Sequence, residues 1–349
     1  MVTPRPDRPV TITDIAAVTG VAPSTVSRAL NRPGRVSVAT RNRIQAAARE
    51  LNYAPHLPAR ALAPGRTGNI AVLVSDVTNP FYFGLIRGSQ QQLKAAGYAQ
   101  LLVDTEDSGE HEAEMLRAMR RTLDGAILAA SRLPERALAA LAEQIPLVTV
   151  NRNVPGVMSV VMDTPSGIQQ AVEHLISLGH RDIAYVSGPE NSLSNRARWR
   201  AINAVAARHG MRLPRIGPFP RGRHSGSAAA DALLITEATA FIAFNDLLAI
   251  GMLTRLRERG VRVPADVSAV GCDDVFGADF CNPPLTTLTT PIEQAGRVAA
   301  SMLLSRLKHP VSPVTRRAVV LPTHLTIRES SGSAPDRRSR NWPGPLVLS

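Results

Sequence analysis

The sequence predicts an α/β protein with a small helical domain at the N-terminus and a larger core of two doubly wound parallel sheets. The core is predicted by short apolar runs that alternate with helical patterns from residue 69 onward, as in βαβ units. This alternation starts again after Gly167, which indicates a second sheet of the same kind. Before residue 66, apolar residues recur only at the spacing of short helices, so no sheet is expected there.

The first predicted helix begins after Thr11 and ends at Gly20. Thr11 followed three residues later by Asp14 forms a capping-box pattern, with an acid in place of the usual Glu or Gln. Gly20 ends the helix because only glycine enters a left-handed turn without steric cost. The apolar face of this helix consists of Ile12, Ile15 and Ala16.

A second helix is predicted to begin at Pro23, whose fixed φ suits the first helical position. Its inward apolar face consists of Val26, Ala29 and Leu30. Its outward polar face consists of Ser24, Thr25, Ser27 and Arg28. Hydroxyl and guanidinium groups on a short helix can donate hydrogen bonds to base edges and phosphates in a DNA major groove. The two helices therefore form a helix-turn-helix pattern, although any two amphipathic helices can produce one.

Ser37 is the predicted N-cap of a third helix, which the Asn-Tyr-Ala-Pro sequence at 52–55 ends. The inner face of this helix is expected to consist of Val38, Ile44, Ala47, Ala48 and Leu51. Three small helices that share one core make a complete DNA-binding unit. This completeness favours DNA binding over a chance pairing of two amphipathic helices.

Positive charge is concentrated in the same segment. The whole chain has a formal net charge of +12, and residues 1–66 hold ten arginines, no lysines and three carboxylates, a net charge of +7. More than half of the excess therefore lies in less than a fifth of the chain, which favours a polyanionic partner for this segment. A basic face that serves only solubility is the alternative.

The helical segment resembles the LacI (lactose repressor) family of bacterial transcription regulators. The similarity is carried by Thr-Val-Ser-Arg-Ala-Leu-Asn at 25–31, Val-Ser at 36–37, Thr-Arg at 40–41 and Leu-Asn-Tyr-Ala-Pro at 51–55. It continues in core motifs at 76–82, 123–127, 151–152, 173–184, 244–251, 267–274, 283–287 and 321–330. The resemblance thus extends to about residue 330, and it implies a periplasmic-binding-protein-like core.

The resemblance also implies which residues contact DNA. They lie at the starts of the helices, on the outward face of the second helix and in the segment after the third helix. They are Thr11, Pro23, Ser24, Thr25, Ser27, Arg28, Asn31, Ser37, Tyr53, His56, Ala59, Arg60 and Leu62. The expected partner is a near-palindromic double-stranded operator bound by a homodimer, with a tetramer left open.

Residues 56–66 are expected to be a hinge helix, because the family orders this segment on operator DNA and pairs it with its dimer mate in the minor groove. Leu62 takes the position of the family's wedge leucine, which opens a central base step. Pro58 departs from the family pattern, since proline is tolerated only in the first turn of a helix. From the residues alone, this segment is a short helix or a plain linker.

The core pattern resolves into short strands and longer helices. The predicted strands are 70–74, 100–103, 125–129, 147–150, 159–162, 183–186, 240–243 and 267–270. The predicted helices are 83–96, 110–122, 168–178, 197–209 and 247–259.

The expected domains follow from these elements and the motifs. They are a flexible arm (1–9), a helix-turn-helix headpiece (10–55), the hinge (56–66), a core for effector binding and dimerisation (67–330) and a disordered tail (331–349). Within the core, the expected N-subdomain is about 67–163 plus 291–321, and the expected C-subdomain is about 164–290 plus 322–330. The tail is expected to be disordered because it is rich in Gly, Ser, Pro and Arg.

Ligands in open α/β sheets bind at the carboxyl ends of the strands. The candidate residues at those ends are Ser75, Asn79, Phe81, Tyr82, Asn151, Arg198, Asn245, Asp273 and Thr290. Such polar groups beside an aromatic wall suit a polyhydroxylated or heteroaromatic molecule, and the resemblance implies a small effector: a sugar, a sugar acid, or a nucleoside or purine. A turn or cap role is the alternative for each residue. Asn151 stands where many relatives have an acid, which puts the usual carboxylate contact there in doubt.

The sequence contains no pattern of a catalytic, cofactor or metal site. It has no Gly-x-Ser-x-Gly and no Walker loop, and neither Cys272 nor Cys281 lies at a metal-binding spacing. It also has no signal-peptide pattern and no apolar run of membrane-spanning length, so a cytoplasmic protein without a membrane partner is expected. The predicted function is a ligand-responsive transcriptional regulator, most simply a repressor, and not an enzyme. The alternative is a solute-binding or sugar-modifying α/β protein with a vestigial headpiece.

Overall fold

The computed structural model of the protein describes residues 10–31, 33–53, 66–211, 213–220, 222–309 and 318–336. The chain divides into two compact units, Met1–Gly68 and Asn69–Ser349. Three expected segments lie outside the described residues: the arm (1–9), nearly all of the hinge (56–65) and the end of the tail (337–349).

The headpiece contains three α-helices that share one apolar core. They are α1 (Ile12–Thr19), α2 (Pro23–Asn31) and α3 (Val38–Glu50), with a short 3-10 helix at Pro33–Arg35. The buried members of the core are Ile15, Ala16, Val26, Ala29, Ile44, Ala47 and Ala48. The prediction that Val38 joins this core is wrong, because its side chain is 62% exposed. At 100° per residue, Val38 lies about 120° around α3 from Ile44 and therefore faces away from the core.

The caps of these helices match the sequence pattern. The backbone N–H and the hydroxyl of Thr11 both donate to Oδ2 of Asp14, at 2.8 and 2.7 Å. Gly20 ends α1 in the left-handed region, at φ 68°. The hydroxyl of Ser37 accepts a hydrogen bond from the N–H of Thr40 at 3.3 Å, and so caps α3. The helices α1 and α3 therefore each start where a specific side chain bonds to the backbone of the first turn.

The core contains two six-stranded sheets. The strands of the first sheet are β1 (Asn69–Val74), β2 (Ala99–Asp104), β3 (Gly125–Ala129), β4 (Leu147–Val150), β5 (Met158–Met162) and β11 (Ala318–Leu321). The strands of the second sheet are β6 (Ile183–Val186), β7 (Arg215–Ile216), β8 (Ala240–Ala243), β9 (Ser268–Asp273), β10 (Thr286–Thr289) and β12 (His324–Thr326). Their spatial orders are β11-β5-β4-β3-β1-β2 and β12-β10-β9-β8-β6-β7, and only the β10–β12 pair is antiparallel. The predicted fold class is confirmed.

Helices cover these sheets. They are α4 (Phe81–Ala95), α5 (Gly109–Met119), α6 (Glu135–Ala142), α7 (Thr164–Ser177), α8 (Leu193–Arg208), α9 (Gly226–Leu234), α10 (Asp246–Glu258) and α11 (Ile292–Lys308). In the second sheet, Ala184 and Val186 lie in one buried cluster with residues of α9 and α10, whereas Ile183 and Tyr185 lie in another with residues of α7 and α8. Successive strand side chains point to opposite faces, so a strand buried on both faces is apolar throughout. None of the described helices is long and apolar enough to cross a membrane.

The chain passes between the two sheets three times, after β5, after β10 and after β11. Two of these crossings are tied together: the N–H of Asp163 donates to the carbonyl of Leu321 at 2.8 Å, and the hydroxyl of Thr323 donates to the carbonyl of Asp163 at 2.7 Å. Because each crossing leaves the carboxyl end of a strand, those ends of both sheets border one cleft.

Glycines bring α4 and α11 unusually close. A Cβ atom at Gly88 would lie 2.1 Å from the carbonyl oxygen of Glu293, and one at Gly296 would lie 2.4 Å from the carbonyl oxygen of Leu85. Neither position has space for any side chain. These glycines have no role that the sequence alone predicts, and the close helix contact supplies one.

The prediction of a disordered tail is wrong for residues 331–336. The N–H of Gly332 donates to the hydroxyl of Ser268 at 3.0 Å, and Nε2 of the buried His180 lies 3.0 Å from the carbonyl oxygen of Gly332. A prediction of disorder from composition considers only which side chains the segment contains and not the hydrogen bonds that its backbone can form. Here the backbone of the segment is held by buried polar groups of the second sheet, which composition does not reveal.

Candidate functional site

The outward face of α2 is the candidate DNA-reading surface. Ser24 and Arg28 are exposed, whereas Val26 and Ala29 on the other face are buried in the headpiece core. Nη2 of Arg28 lies 3.5 Å from Oγ of Ser24, so the guanidinium extends along the helix surface. A cation and hydroxyl donors on one exposed helix face are the groups that contact phosphates and base edges.

The structure places the other predicted DNA contacts in several settings. Thr11 and Ser37 precede helices, and Thr25 and Ser27 are half-buried on α2. Pro23 is the exposed first residue of α2, Asn31 is its last residue, and Tyr53 packs half-buried against the headpiece core. The remaining four, His56, Ala59, Arg60 and Leu62, lie outside the described residues. A role in DNA contact stays a prediction for all of them.

In the cleft, Arg198 of α8 forms an ion pair with Asp273, the last residue of β9. Nη2 of Arg198 lies 2.5 Å from Oδ1 of Asp273, and the two side chains are only 8% and 7% exposed. Nη1 of Arg198 also donates to the carbonyl of Phe244, whose ring lies 5.1 Å from the guanidinium. Burial alone would lower the pKa of Arg198, but the Asp273 carboxylate raises it overall, so the guanidinium stays charged.

Several strand ends around the cleft have a left-handed backbone. Asp273 has φ 117°, Ala130 after β3 has φ 53°, and Asn151 after β4 has φ 59°. Such values are unfavourable for residues other than glycine and concentrate at functional sites. Thr290 joins this region, because its hydroxyl donates to the carbonyl of Asp273 at 3.4 Å.

Aromatic residues from the first sheet's side form another wall of the cleft. The hydroxyls of Ser75 and Tyr82 are 2.7 Å apart, and the Tyr82 ring meets the Phe81 ring edge-on at 5.3 Å. Burial raises the pKa of Tyr82 to about 12; the bond to Ser75 opposes the rise, the Asp273 carboxylate adds to it and the Arg132 guanidinium opposes it. Tyr82 therefore lies within electrostatic range of charges from both sheets.

The sequence pattern predicts Phe81 and Tyr82 in a loop before a helix that begins at residue 83. In the structure they form the first turn of α4, which begins directly after Pro80. Their side chains are buried, so the helix fixes both rings in place.

A cavity of about 450 Å³ lies between the start of α4, the segment after β9 and the start of α11. Three of the predicted effector residues line it: Phe81, Asp273 and Thr290. The lining also includes Phe83, Phe276 and Asp274. Aromatic surfaces beside carboxylate and hydroxyl groups suit a small ligand with an apolar face and a polar edge.

Two of the predicted asparagines serve as local caps. Oδ1 of Asn79 accepts a hydrogen bond from the N–H of Phe81 at 3.1 Å, and Oδ1 of Asn245 accepts one from the N–H of Leu248 at 3.0 Å and caps α10. These are the turn and cap roles that asparagine favours. A cap uses only the amide oxygen, so the Nδ2 group of each residue keeps its donors.

Asp246 is a candidate to which the sequence analysis assigned no role. It is fully buried, and its carboxylate accepts from the Thr287 hydroxyl at 2.6 Å and from the Val275 N–H at 2.9 Å. Burial raises the pKa of Asp246 to about 7, and the Asp273 carboxylate adds to the rise. Asp246 thus holds the segment that follows Asp273. Its only sequence signal was its place in the 244–251 motif beside Asn245.

Arg132 and Asp107 are a second pair that the sequence analysis did not single out. Nε of Arg132 lies 2.6 Å from Oδ1 of Asp107, and the two side chains are 10% and 24% exposed. The N–H of Asp107 donates to the carbonyl of Ser75 at 2.8 Å, which places the pair beside the aromatic wall.

The described residues contain no cluster of three or more His, Cys, Asp or Glu side chains that could hold a metal ion.

Comparison with known proteins covers both parts of the chain. Residues 11–56 match the model for bacterial regulatory proteins of the lacI family, and residues 172–331 match the model for a periplasmic binding protein-like domain. The first match coincides with the headpiece, and the second covers all strands of the second sheet, whereas β1 to β5 of the first sheet lie outside both matches.

Individual proteins resemble the chain over three quarters of its length or more. The transcriptional regulator DegA of Bacillus subtilis is 31% identical over 335 residues, which cover 92% of this chain and 98% of that protein. The lac repressor dimer bound to operator and an anti-inducer has a TM-score of 0.80 at 26% identity, with 93% and 100% covered. A lacI-family regulator from Enterococcus faecium with bound ribose has a TM-score of 0.69 at 32% identity, with 76% and 98% covered. The helix-turn-helix headpiece, the two-sheet core and these chain-long similarities together establish that the protein belongs to the lacI family of bacterial transcription regulators.

Proposed function

We propose that this protein is a ligand-responsive transcriptional repressor that binds double-stranded operator DNA. The observation that carries the proposal is the exposed face of α2, where Arg28 and hydroxyl groups stand on a complete three-helix headpiece. The net charge of +7 on residues 1–66 supplies neutralisation of DNA phosphates. The DNA contacts we propose are those that the resemblance implies, with Arg28 as the principal base-reading residue.

A homodimer is the assembly that this proposal needs. One small headpiece reads only a few base pairs, and a two-fold symmetric dimer reads a near-palindromic operator with two of them. The lac repressor, whose fold this chain shares, has been crystallised as a dimer on its operator. Because the DNA partner is chromosomal, we place the action of the protein in the cytoplasm.

The cleft between the sheets is the effector site in this proposal, and the effector is a sugar or a sugar derivative. Support comes from the ribose-bound Enterococcus regulator and from the polar and aromatic residues that the cleft brings together. A ligand that binds both sheets favours a closed cleft over an open one. It can change DNA affinity only by as much as its affinities for the two states differ.

Removal of the headpiece tests the function. A fragment that begins at Arg66 keeps the whole second unit, so we expect it to fold with the thermal midpoint of the core. It should fail to bind an operator that the full chain selects from random-sequence DNA. Full operator binding by the fragment would overturn the assignment of the headpiece.

The same pair of proteins separates the alternative, a solute-binding or sugar-modifying protein with a vestigial headpiece. In that case the full chain would enrich no DNA sequence, and truncation would change nothing that can be measured. The enrichment of a near-palindromic sequence by the full chain alone supports the repressor.

A further inference from the structure

The loop after β3 holds a guanidinium with an unused donor at the edge of the cleft. Nε of Arg132 donates to Asp107, but Nη2 of Arg132 is buried and has no hydrogen-bond partner among the described residues. The side chain is only 10% exposed, so water satisfies little of it. A buried N–H of a charged group is unfavourable without an acceptor, and a ligand can supply one.

The backbone around Arg132 is fixed by two other charged side chains. The N–H of Arg132 donates to Oε2 of Glu112 at 2.9 Å. Nη1 of Arg152 donates to the carbonyl of Ser131 at 2.9 Å and also to the carbonyl of Leu133. The peptide groups 131–132 and 133–134 are thus held on both sides of Arg132, which limits movement of the loop that carries the guanidinium. This rigid support is what a ligand-binding side chain needs in order to lose little entropy on binding.

The position of Arg132 is that of a cleft residue. Its partner Asp107 is bonded through the backbone to Ser75, whose hydroxyl lies 2.7 Å from that of Tyr82. The pKa of Tyr82 responds both to Arg132 and to Asp273 of the other sheet. Arg132 and Asp107 also follow the carboxyl ends of β3 and β2, so the pair lies at the cleft edge of the first sheet, beside the aromatic wall.

Arg198 repeats this arrangement on the second sheet. Its Nη2 pairs with Asp273 at 2.5 Å, its Nη1 donates to Phe244, and its Nε is buried without a partner among the described residues. Each side of the cleft thus has a guanidinium that is paired with a carboxylate and keeps one unused donor. A hydroxyl could accept these bonds but must also place its own hydrogen, whereas a carboxylate or phosphate group only accepts. Bonds between two charged groups are also stronger.

We propose that Arg132 is the anion-binding residue of the effector site and that the effector carries a carboxylate or a phosphate group. The proposal rests on the proposed function, because it takes the cleft as the effector site. It narrows the effector from sugars in general to an acidic sugar derivative.

Titration of the full chain with simple anions tests the proposal without knowledge of the effector. The probes are inorganic phosphate and formate, at an ionic strength held constant with chloride, and the readouts are calorimetry and the thermal midpoint. We expect saturable binding that Arg132→Gln weakens about tenfold to a hundredfold, the loss of one charge-assisted hydrogen bond. The control is Arg136→Gln, which removes the same charge from an exposed position four residues away and should leave the affinity unchanged.

A second variant keeps the test decisive if Arg132→Gln fails to fold. Asp107→Asn removes the carboxylate that competes for Arg132, so the same anions should bind more tightly than to the original protein. A purely structural ion pair gives no such gain. The proposal is overturned by an absence of saturable anion binding beyond chloride, or by unchanged affinity in both cleft variants.

Binding of glucose, gluconate and glucose 6-phosphate then shows whether the effector carries a carboxylate or a phosphate group. Tighter binding of gluconate than of the other two indicates a carboxylate, and tighter binding of the phosphate ester indicates a phosphate. The anion proposal is overturned if the protein binds neutral glucose more tightly than the two anions and Arg132→Gln leaves that preference unchanged. Operator binding by the same sample would still support the proposed function. Failure of the full chain to select any operator overturns the proposed function, whatever the anions do.

Discussion

The guanidinium of Arg198 and the carboxylate of Asp273 lie 2.5 Å apart, with both side chains almost completely removed from solvent. Two residues that are 75 positions apart in the sequence thus meet at the carboxyl end of the second sheet. A buried ion pair of this kind resists the removal of one partner more than the removal of both, because a single change leaves an uncompensated charge.

Substitutions in this pair should reveal that asymmetry. Arg198→Met and Asp273→Leu should each lower the free energy of unfolding by about 3–5 kcal/mol, whereas the double variant should lose less than either single one. Urea denaturation of the fragment that begins at Arg66 measures all three. The control is Arg262→Met, which removes the exposed partner of the Arg262–Asp266 pair, at 2.6 Å, and should change the free energy of unfolding by less than about 1 kcal/mol. Additive losses at 198 and 273 would contradict the prediction.

Arg28→Ala should weaken binding to the selected operator by about 1–3 kcal/mol, if Arg28 contacts a guanine, and should relax the preference at one base position. Binding to random DNA should fall only slightly, with a smaller salt dependence. Arg43→Ala, which removes an exposed arginine from α3, should affect operator and random DNA by the same factor. Fluorescence anisotropy at two salt concentrations distinguishes the two behaviours. An equal effect of Arg28→Ala on both DNAs would reduce its role to phosphate contact.

Leu62→Ala tests the hinge, which lies outside the described residues and rests on the family resemblance. The change keeps helix propensity and every charge, so binding to random DNA should keep its strength and its salt slope. Operator binding should fall, because the opened minor groove loses the apolar side chain that holds it. Equal losses on operator and random DNA would show that residue 62 is only part of a linker.

Asp246 should make the stability of the core depend on pH. Its pKa is about 7 in the folded protein against an ordinary value of 3.8, because burial and the Asp273 carboxylate disfavour its charged form. Between about pH 4 and pH 7 the folded state therefore holds a proton that the unfolded chain releases. Stability should fall as pH rises through this range, by up to about 1.4 kcal/mol per pH unit.

The variant Asp246→Asn removes this titration. Its stability relative to the original protein should improve steadily from about pH 4 to pH 7, measured by urea denaturation. Asp273 and Asp274 face the same site and are present in both proteins, so their direct effect cancels in the comparison. A difference between the two proteins that stays constant with pH would show that Asp246 is ionised throughout.

Gly88→Ala should destabilise the contact of α4 with α11 by about 1–3 kcal/mol, since the added methyl group would meet backbone oxygen at 2.1 Å. Gly84→Ala is the matched variant on the same helix. There the nearest atom is Cγ2 of the Ile292 side chain at 2.8 Å, which can move aside more easily than backbone. We expect a smaller loss at 84 than at 88 in thermal unfolding of the core, and the reverse order would contradict the close packing described here.

Local patterns were sufficient to predict most of the core. The buried strand at Asn69–Val74 is apolar along its length because helices cover both faces, and such runs are visible in the sequence. The strands β10, β11 and β12 and the helices α6 and α11 were not predicted. The two-residue strand Arg215–Ile216 and the alanine-rich helix Gly226–Leu234 were not predicted either. The strand is too short to show a period, and an alanine-rich helix lacks the polar and apolar contrast on which periodicity depends.

The site was less predictable than the fold. Arg198 and Asp273 were singled out through motifs, and the structure joins them. Arg132 and Asp107 follow different strands, β3 and β2, and they become neighbours only because both of those strands pair with β1. Spatial proximity of this kind depends on strand order, which single-residue patterns do not encode.

The three crossings between the sheets have a mechanical consequence. Each connects its flanking elements through very few residues: β5 ends at Met162 and α7 begins at Thr164, while β11 ends at Leu321 and β12 begins at His324. Three short connections leave the halves of the core little freedom to slide or separate, so we expect one half to rotate against the other about these connections. We therefore expect ligand binding in the cleft to set the angle between the two halves of the core. Because each half is built on a rigid sheet, a small rotation at the cleft produces a larger displacement at the far end of that half.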